Sequence, residues 1–206
     1  MILIGQYDSP FTRRVGIALT LYQMPFEHRP WSIFSDADQV QAVNPLIRVP
    51  TLILDDGDVL IDSSAIIDYL DRAARKDQVL FPRHEPARHR ALKIAALACG
   101  LADKAVSLFY ERRLHAQVSD AWEQRCLSQI AATLQVLEAD RAAQTAAWWF
   151  GDKPGHADIA VACALRHATE AHPGLNTPGP ALAAHCAALE ATAVFQAISQ
   201  AFIPPS

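Results

Sequence analysis

The chain has 206 residues, 51% of them hydrophobic and 19% charged, a composition that excludes a disordered or solvating polypeptide. Lys and Arg number 18 against 22 Asp and Glu, so the net charge is -4, with no basic footprint for nucleic acid and no polybasic signal for a membrane surface. Small soluble partners fit this balance, and the length allows one large domain or two small ones.

The opening Met1 to Gln6 lacks the basic flank and the length of a signal peptide, and no apolar run reaches the roughly 18 residues that a membrane helix needs. Cys99, Cys126, Cys163 and Cys186 are far apart and sit in Ala- and Leu-rich stretches, where cysteine packs as a small core residue. That usage points to a cytoplasmic, reducing location. The histidines show no ligand spacing, so no metal site is expected.

In chain order, Met1 to Gln6 reads as a short buried strand, with Ile2 and Ile4 in step. After Ser9-Pro10, Val15, Ala18, Leu19 and Tyr22 recur at helical spacing, and Pro10 suits the first helical turn because its missing N–H is no loss there. Residues 25–29 form a second strand. A polar helix over about 36–43 stops at Asn44-Pro45, since the residue before proline avoids the α region. Val49 to Leu54 and Val59 to Ile61 flank the turn Asp55-Asp56-Gly57-Asp58 as a hairpin. Asp62-Ser63 then caps a helix with Ile66, Ile67 and Leu70 on one face. The order β-α-β-α-β-β-α predicts a four-stranded mixed sheet over residues 1–80.

Residues 81–86, with two prolines, read as a linker. The domain expected over 87–206 is all helical. Its helices cover about 87–114, 120–145 and 158–171, and two shorter ones follow the Pro/Gly cluster between Pro173 and Pro180.

Three segments of the first domain could carry chemistry. Ser9 lies at a strand end running into a helix start, where N–H groups and the helix dipole favour an anion; it either donates to that anion or only caps the helix. In Arg48-Val49-Pro50-Thr51, a proline opening a strand implies an edge, a bulge or a cis bond. A cis Val49-Pro50 would turn the Val49 main chain outward toward an extended peptide. Asp62 suits an ammonium group and Ser63 a carboxylate, so the pair matches the zwitterionic end of an amino acid, with plain N-capping as the alternative.

The order Ser-Pro-Phe-x-Arg-Arg-Val, Asn-Pro-x-x-x-Val-Pro-x-Leu and Asp-Ser-x-x-Ile-x-x-Tyr-Leu resembles the glutathione transferase N-terminal domain. The likeness continues through residues 96–103 and 151–160 and looks closest to the bacterial serine-type members. It implies a thioredoxin-like domain followed by a helical bundle, glutathione as co-substrate, a small, hydrophobic electrophile as second partner, and a homodimer. By the resemblance, Ser9 meets the glutathione sulfur, the Val49 main chain binds the cysteinyl unit, Asp62 and Ser63 hold the γ-glutamyl end, and Arg48 meets the glycyl carboxylate. Ile47 stands where the family has glycine, Cys99 where many bacterial relatives have aspartate, and Gly155 where the family's capping box has Ser or Thr.

The implied mechanism is activation of the glutathione thiol as a thiolate that attacks the electrophile, with Ser9 as donor and Tyr7 as its rival. Phe11, Phe109, Tyr110 and Arg113 are candidates for the electrophile's pocket. Peroxidase, isomerase or dehalogenase chemistry would use the same thiolate, and the fold also serves as a non-catalytic docking module. The presence of Ser9, Val49-Pro50 and Asp62-Ser63 together favours the enzyme.

Overall fold

A computed structural model describes residues 1–175 and 178–204. They form two compact units, Met1–Leu80 with the returning tail from Thr192, and Phe81–Ala191. Positions 176 and 177, inside the Pro173 to Pro180 cluster, and 205 and 206 at the chain end lie outside the described residues.

In the first unit, β1 (Ile2–Ile4), α1 (Pro10–Leu21), β2 (Glu27–Arg29), α2 (Ala37–Gln41), β3 (Thr51–Ile53), β4 (Val59–Ile61) and α3 (Ser63–Ala73) follow one another as the sequence pattern predicts. The strands run in the order β2-β1-β3-β4. β1 pairs parallel with β2 and antiparallel with β3, and β3 pairs antiparallel with β4. This is the expected thioredoxin-like mixed sheet. Its core joins Leu3, Ile4 and Leu52 from the sheet to Ile17 and Leu19 of α1 and to Ile66, Ile67 and Leu70 of α3, none more than 1% exposed. Burying one such side chain stabilises by about 1.5–3 kcal/mol, so these residues hold both helices on the sheet.

The strands are shorter than the apolar runs that encode them. β1 stops at Ile4 because Gly5 has φ 127, a conformation that ends the extended run. β3 starts at Thr51, after the cis Val49-Pro50 bond.

The second unit comprises α4 (Ala87–Leu114), α5 (Asp120–Ala142), α6 (His156–Ala171) and α7 (Pro180–Glu190). α6 packs on α4 and α7, and α5 packs on α4 and α7. His156 to Leu165 is buried throughout, so α6 is the central helix of this unit. It begins two residues before the expected start at 158, because Gly155 is the N-cap and Asp158 lies one turn inside. The Asp158 carboxylate accepts from Gly155 N at 2.8 Å and from Trp149 N at 3.1 Å. The α7 start is closed from α5, whose Glu138 carboxylate accepts from Ala181 N and Leu182 N, each at 2.9 Å. Cys126 and Cys163 are buried in α5 and α6, Cys99 and Cys186 half-buried in α4 and α7, and all four are free thiols.

The expected second domain, 87–206, differs from this division at its end. α8 (Ala193–Ala197) packs on α1 and belongs to the first unit. The physical reason is Arg13, a 2% exposed guanidinium on α1 that donates to two main-chain carbonyls of the tail, Ile198 O and Phe195 O. No helix among the described residues is long and apolar enough to cross a membrane.

Candidate active site

The register of the sheet brings the three sequence segments to one end of it. Ile4 pairs with Thr51, and Thr51 with Ile61. β1 and β4 therefore finish where β3 begins. The chain leaving β1 runs through Gly5 to Ser9, the chain entering β3 comes from Arg48, Val49 and Pro50, and the chain leaving β4 enters Asp62 and Ser63. Gly5 marks how tightly they meet, since a Cβ there would stand 2.7 Å from Val49 Cβ and 2.5 Å from Thr12 Oγ1.

Ser9 is the N-cap of α1, with extended φ -69 and ψ 121, and its Oγ accepts from Thr12 N at 3.3 Å. Capping occupies a lone pair of the hydroxyl and leaves its proton to be donated. The two readings of Ser9 are therefore compatible, because a single oxygen can accept from the helix and donate to an anion at the helix's positive end.

Tyr7 has a different setting. Its ring stacks on His28, centroids 3.9 Å apart, and lies so close to Gly16 of α1 that a Cβ there would be 2.8 Å from it. His28 Nε2 is 2.8 Å from Gly5 O. Burial pushes the Tyr7 phenol up to about 12. The ring packs the β1 end onto the helix.

The loop before β3 is organised by Asn44, 1% exposed. Its Nδ2 donates to Arg48 O at 2.9 Å and to Thr51 Oγ1 at 3.0 Å, and its Oδ1 accepts from Leu46 N at 3.0 Å. Three bonds satisfy most of a buried amide and fix the path from Pro45 to Thr51. The Arg48 side chain is exposed and Val49 half-buried. Val49 stands outside the ladder, whose last pair on this side is Ile4 with Thr51.

Asp62 has φ 67, a positive value that non-glycine residues rarely take, and its Oδ1 accepts from Ser64 N at 2.7 Å. Its carboxylate is exposed, and Ser63, the first residue of α3, is 4% exposed. The N-capping alternative holds for Asp62 in this structure, and the same exposed carboxylate can meet a cation.

Gly5 and Asn44 escaped the sequence reading. Gly5 had a signal, a glycine directly after a strand; Asn44 read only as the residue that stops α2.

The second unit has an open cavity of about 370 Å³ that includes Phe109, Arg112, Arg113, His172 and Leu175. Two of the four residues considered for an electrophile pocket, Phe109 and Arg113, line it. Arg112 is ion-paired with Glu123. His172 Nε2 lies 2.8 Å from Ala105 O, and burial lowers the pKa of its imidazole. No group of three or more His, Cys, Asp and Glu among the described residues is gathered as a metal site.

Comparison with known proteins decides the family. Residues 3–78 match the model of the glutathione S-transferase N-terminal domain, and residues 120–188 that of the C-terminal domain. The uncharacterized GST-like protein YibF of Escherichia coli K12 is 32% identical over 169 residues, 80% of each chain. The chain belongs to the glutathione S-transferase family. Family membership makes it an enzyme, a glutathione transferase. The maleylacetoacetate isomerase of Pseudomonas aeruginosa is 31% identical over 170 residues, 77% of each chain. A glutathione S-transferase of Methylobacterium radiotolerans, solved in complex with glutathione sulfonate, superposes with a TM-score of 0.88 at 28% identity, covering 100% of this chain and 98% of that one.

Proposed function

We propose that the protein binds glutathione at the sheet end described above and stabilises its thiolate with the Ser9 hydroxyl for attack on an electrophilic, hydrophobic small molecule. The observation that carries this is the meeting of Ser9, Val49 and Asp62-Ser63 at that one sheet end. Each offers what one part of the tripeptide needs. The Ser9 proton suits the sulfur anion, the Val49 main chain outside the ladder suits the cysteinyl peptide group, and the Asp62 carboxylate with Ser63 suits the γ-glutamyl zwitterion. Arg48, exposed on the same loop, suits the glycyl carboxylate.

A thiol of pKa about 8.5 is only a few per cent thiolate at neutral pH, and the thiolate is the nucleophile. One charge-assisted hydrogen bond together with a helix N-terminus favours the anion, each pKa unit of lowering corresponding to about 1.4 kcal/mol. Ser9 is a donor and forms no covalent bond. The thiolate adds to the electrophilic carbon, and a leaving group departs with the displaced electron pair.

A second reading is favoured by the identity to maleylacetoacetate isomerase. The same thiolate would add to a conjugated double bond, allow rotation about the resulting single bond, and leave again, regenerating glutathione. The active form in either case is a homodimer, with Tyr69 on α3 and Leu92 on α4, 42% and 41% exposed, among the apolar side chains that a partner could cover.

The test is a pH–rate profile of Ser9→Ala with an aromatic halide. Glutathione affinity should stay within a few-fold, since the peptide groups are held elsewhere. The rate at neutral pH should fall about tenfold to a hundredfold, and the gap should narrow at high pH, where the thiolate forms unaided. An unchanged profile would remove Ser9 as donor.

A further inference from the structure

The tail of the chain is tied to the Ser9 loop on both sides of Ser9. Beyond it, Arg13 donates Nε to Ile198 O at 2.8 Å and Nη2 to Phe195 O at 2.9 Å, and its guanidinium lies 5.2 Å from the Phe195 ring centroid. Ahead of it, Tyr7 N donates to Gln200 Oε1 at 3.2 Å, and Ile203 N donates to Asp8 Oδ2 at 3.1 Å. Ile198 also faces Gly16, where a Cβ would come within 3.0 Å of its Cγ2, beside the Tyr7 ring.

The main chain of Ser9 is held within its own loop, Arg13 N donating to Ser9 O at 2.9 Å, but the restraint on its hydroxyl is long. Thr12 N reaches its Oγ at 3.3 Å, and Ser9 N reaches Gln6 O at 3.2 Å. The contact to Oγ lies beyond the usual N–H···O range, so the hydroxyl is held less firmly than the Ser9 main chain. A donor must hold its proton within a few tenths of an ångström of the anion, and small misplacements cost large factors in rate. The segment 195–203 is tied to residues 7, 8 and 13.

We propose that the segment from Phe195 to Ile203 is a strap that positions Ser9, anchored by Arg13 and closed over Tyr7 and Asp8 by Gln200 and the Ile203 main chain. Arg13, Gln200 and Asp8 are then positioning residues, acting through the Ser9 loop without touching the sulfur. The inference rests on Ser9 being the thiolate donor.

The experiment compares the full chain with Gln200→Ala, Gln200→Glu (which keeps the acceptor oxygen) and a chain ending at Ser199. The probes are glutathione and an aromatic halide, with KM, kcat, pH–rate profile and the ultraviolet absorbance of the bound thiolate as readouts. In Gln200→Ala and the shortened chain, KM for glutathione should stay within about twofold and neutral-pH kcat should fall about three- to tenfold, the range of one neutral hydrogen bond. The thiolate titration should move to higher pH, and Gln200→Glu should behave as the parent. If both altered chains keep the parent's kcat and titration, the strap does not position Ser9. If Gln200→Glu loses as much as Gln200→Ala, the effect is general destabilisation and the proposal also fails. A parent that binds glutathione without acidifying its thiol would overturn the Ser9 reading first, a result visible before any tail variant is made.

Discussion

Ile47 has φ 49, the left-handed region in which a β-branched residue is an outlier. The family resemblance puts a glycine at this position, so the substitution keeps a conformation that glycine adopts freely and adds a cost of about 1–2 kcal/mol. Ile47→Gly would remove that strain. It would also forfeit the burial of a half-buried side chain, about 1 kcal/mol, and add about 0.5–1 kcal/mol of backbone entropy in the unfolded chain. The terms nearly cancel. Urea melts should therefore place Ile47→Gly within about 0.5 kcal/mol of the parent, whereas an equally half-buried isoleucine in ordinary extended backbone would cost about 1.5–2 kcal/mol on the same change. A large loss would mean that the Ile47 side chain supports the loop more than its backbone strains it. Asn44 should be the opposite case: its three hydrogen bonds fix the loop around Arg48, and Asn44→Ala would leave all three unmade.

At the scale of elements, the α6 start shows how a weak cap is reinforced. Gly155 has no side chain to accept from the helix, so the terminus depends on Asp158 accepting from Gly155 N and Trp149 N. His185 of α7 lies beside it, with Nε2 3.1 Å from Asp158 Oδ1 but no hydrogen-bond geometry between them, both side chains being at most 1% exposed, and the Trp149 ring stands edge-on to His185. Asp158→Ala would strip the cap and leave buried N–H groups without an acceptor. Stability should fall by about 2–4 kcal/mol, read by urea unfolding with tryptophan fluorescence; a change under about 0.5 kcal/mol would show that the terminus is held by packing alone. Asp158 was legible in the sequence as half a capping box. His185 was not, because it arrives from another helix with no periodic signal. The sheet was legible for a local reason: the Asp55 to Asp58 turn sets the β3–β4 pairing, and alternating isoleucines set β1. The strand ends were overestimated because apolar pattern continues past Ile4 and before Thr51, while the backbone turns at Gly5 and Pro50.

For the whole molecule, the feature least visible in the sequence is that the first unit is built from both ends of the chain. Arg13 and Arg14, adjacent charges on α1, are 2% and 4% exposed, and two acceptors of Arg13 lie more than 180 residues away. Phe195 and Ile198 are 1% and 9% exposed on the same surface. Their burial is worth about 3–6 kcal/mol together, and a unit of some eighty residues has only about 4–12 kcal/mol in all. A fragment of residues 1–80 should therefore be marginal even though it contains every strand. Joined through a flexible linker to 192–204, it should gain about 3 kcal/mol in urea unfolding, with the linker entropy growing only slowly with length. Replacing Phe195 by Ala in the joined fragment should return most of that gain, because the lost ring is both the buried area and the face beneath the Arg13 guanidinium. Equal stability with and without the tail would mean that α1 closes over Arg13 unaided, and that the division of the chain falls at residue 80 alone.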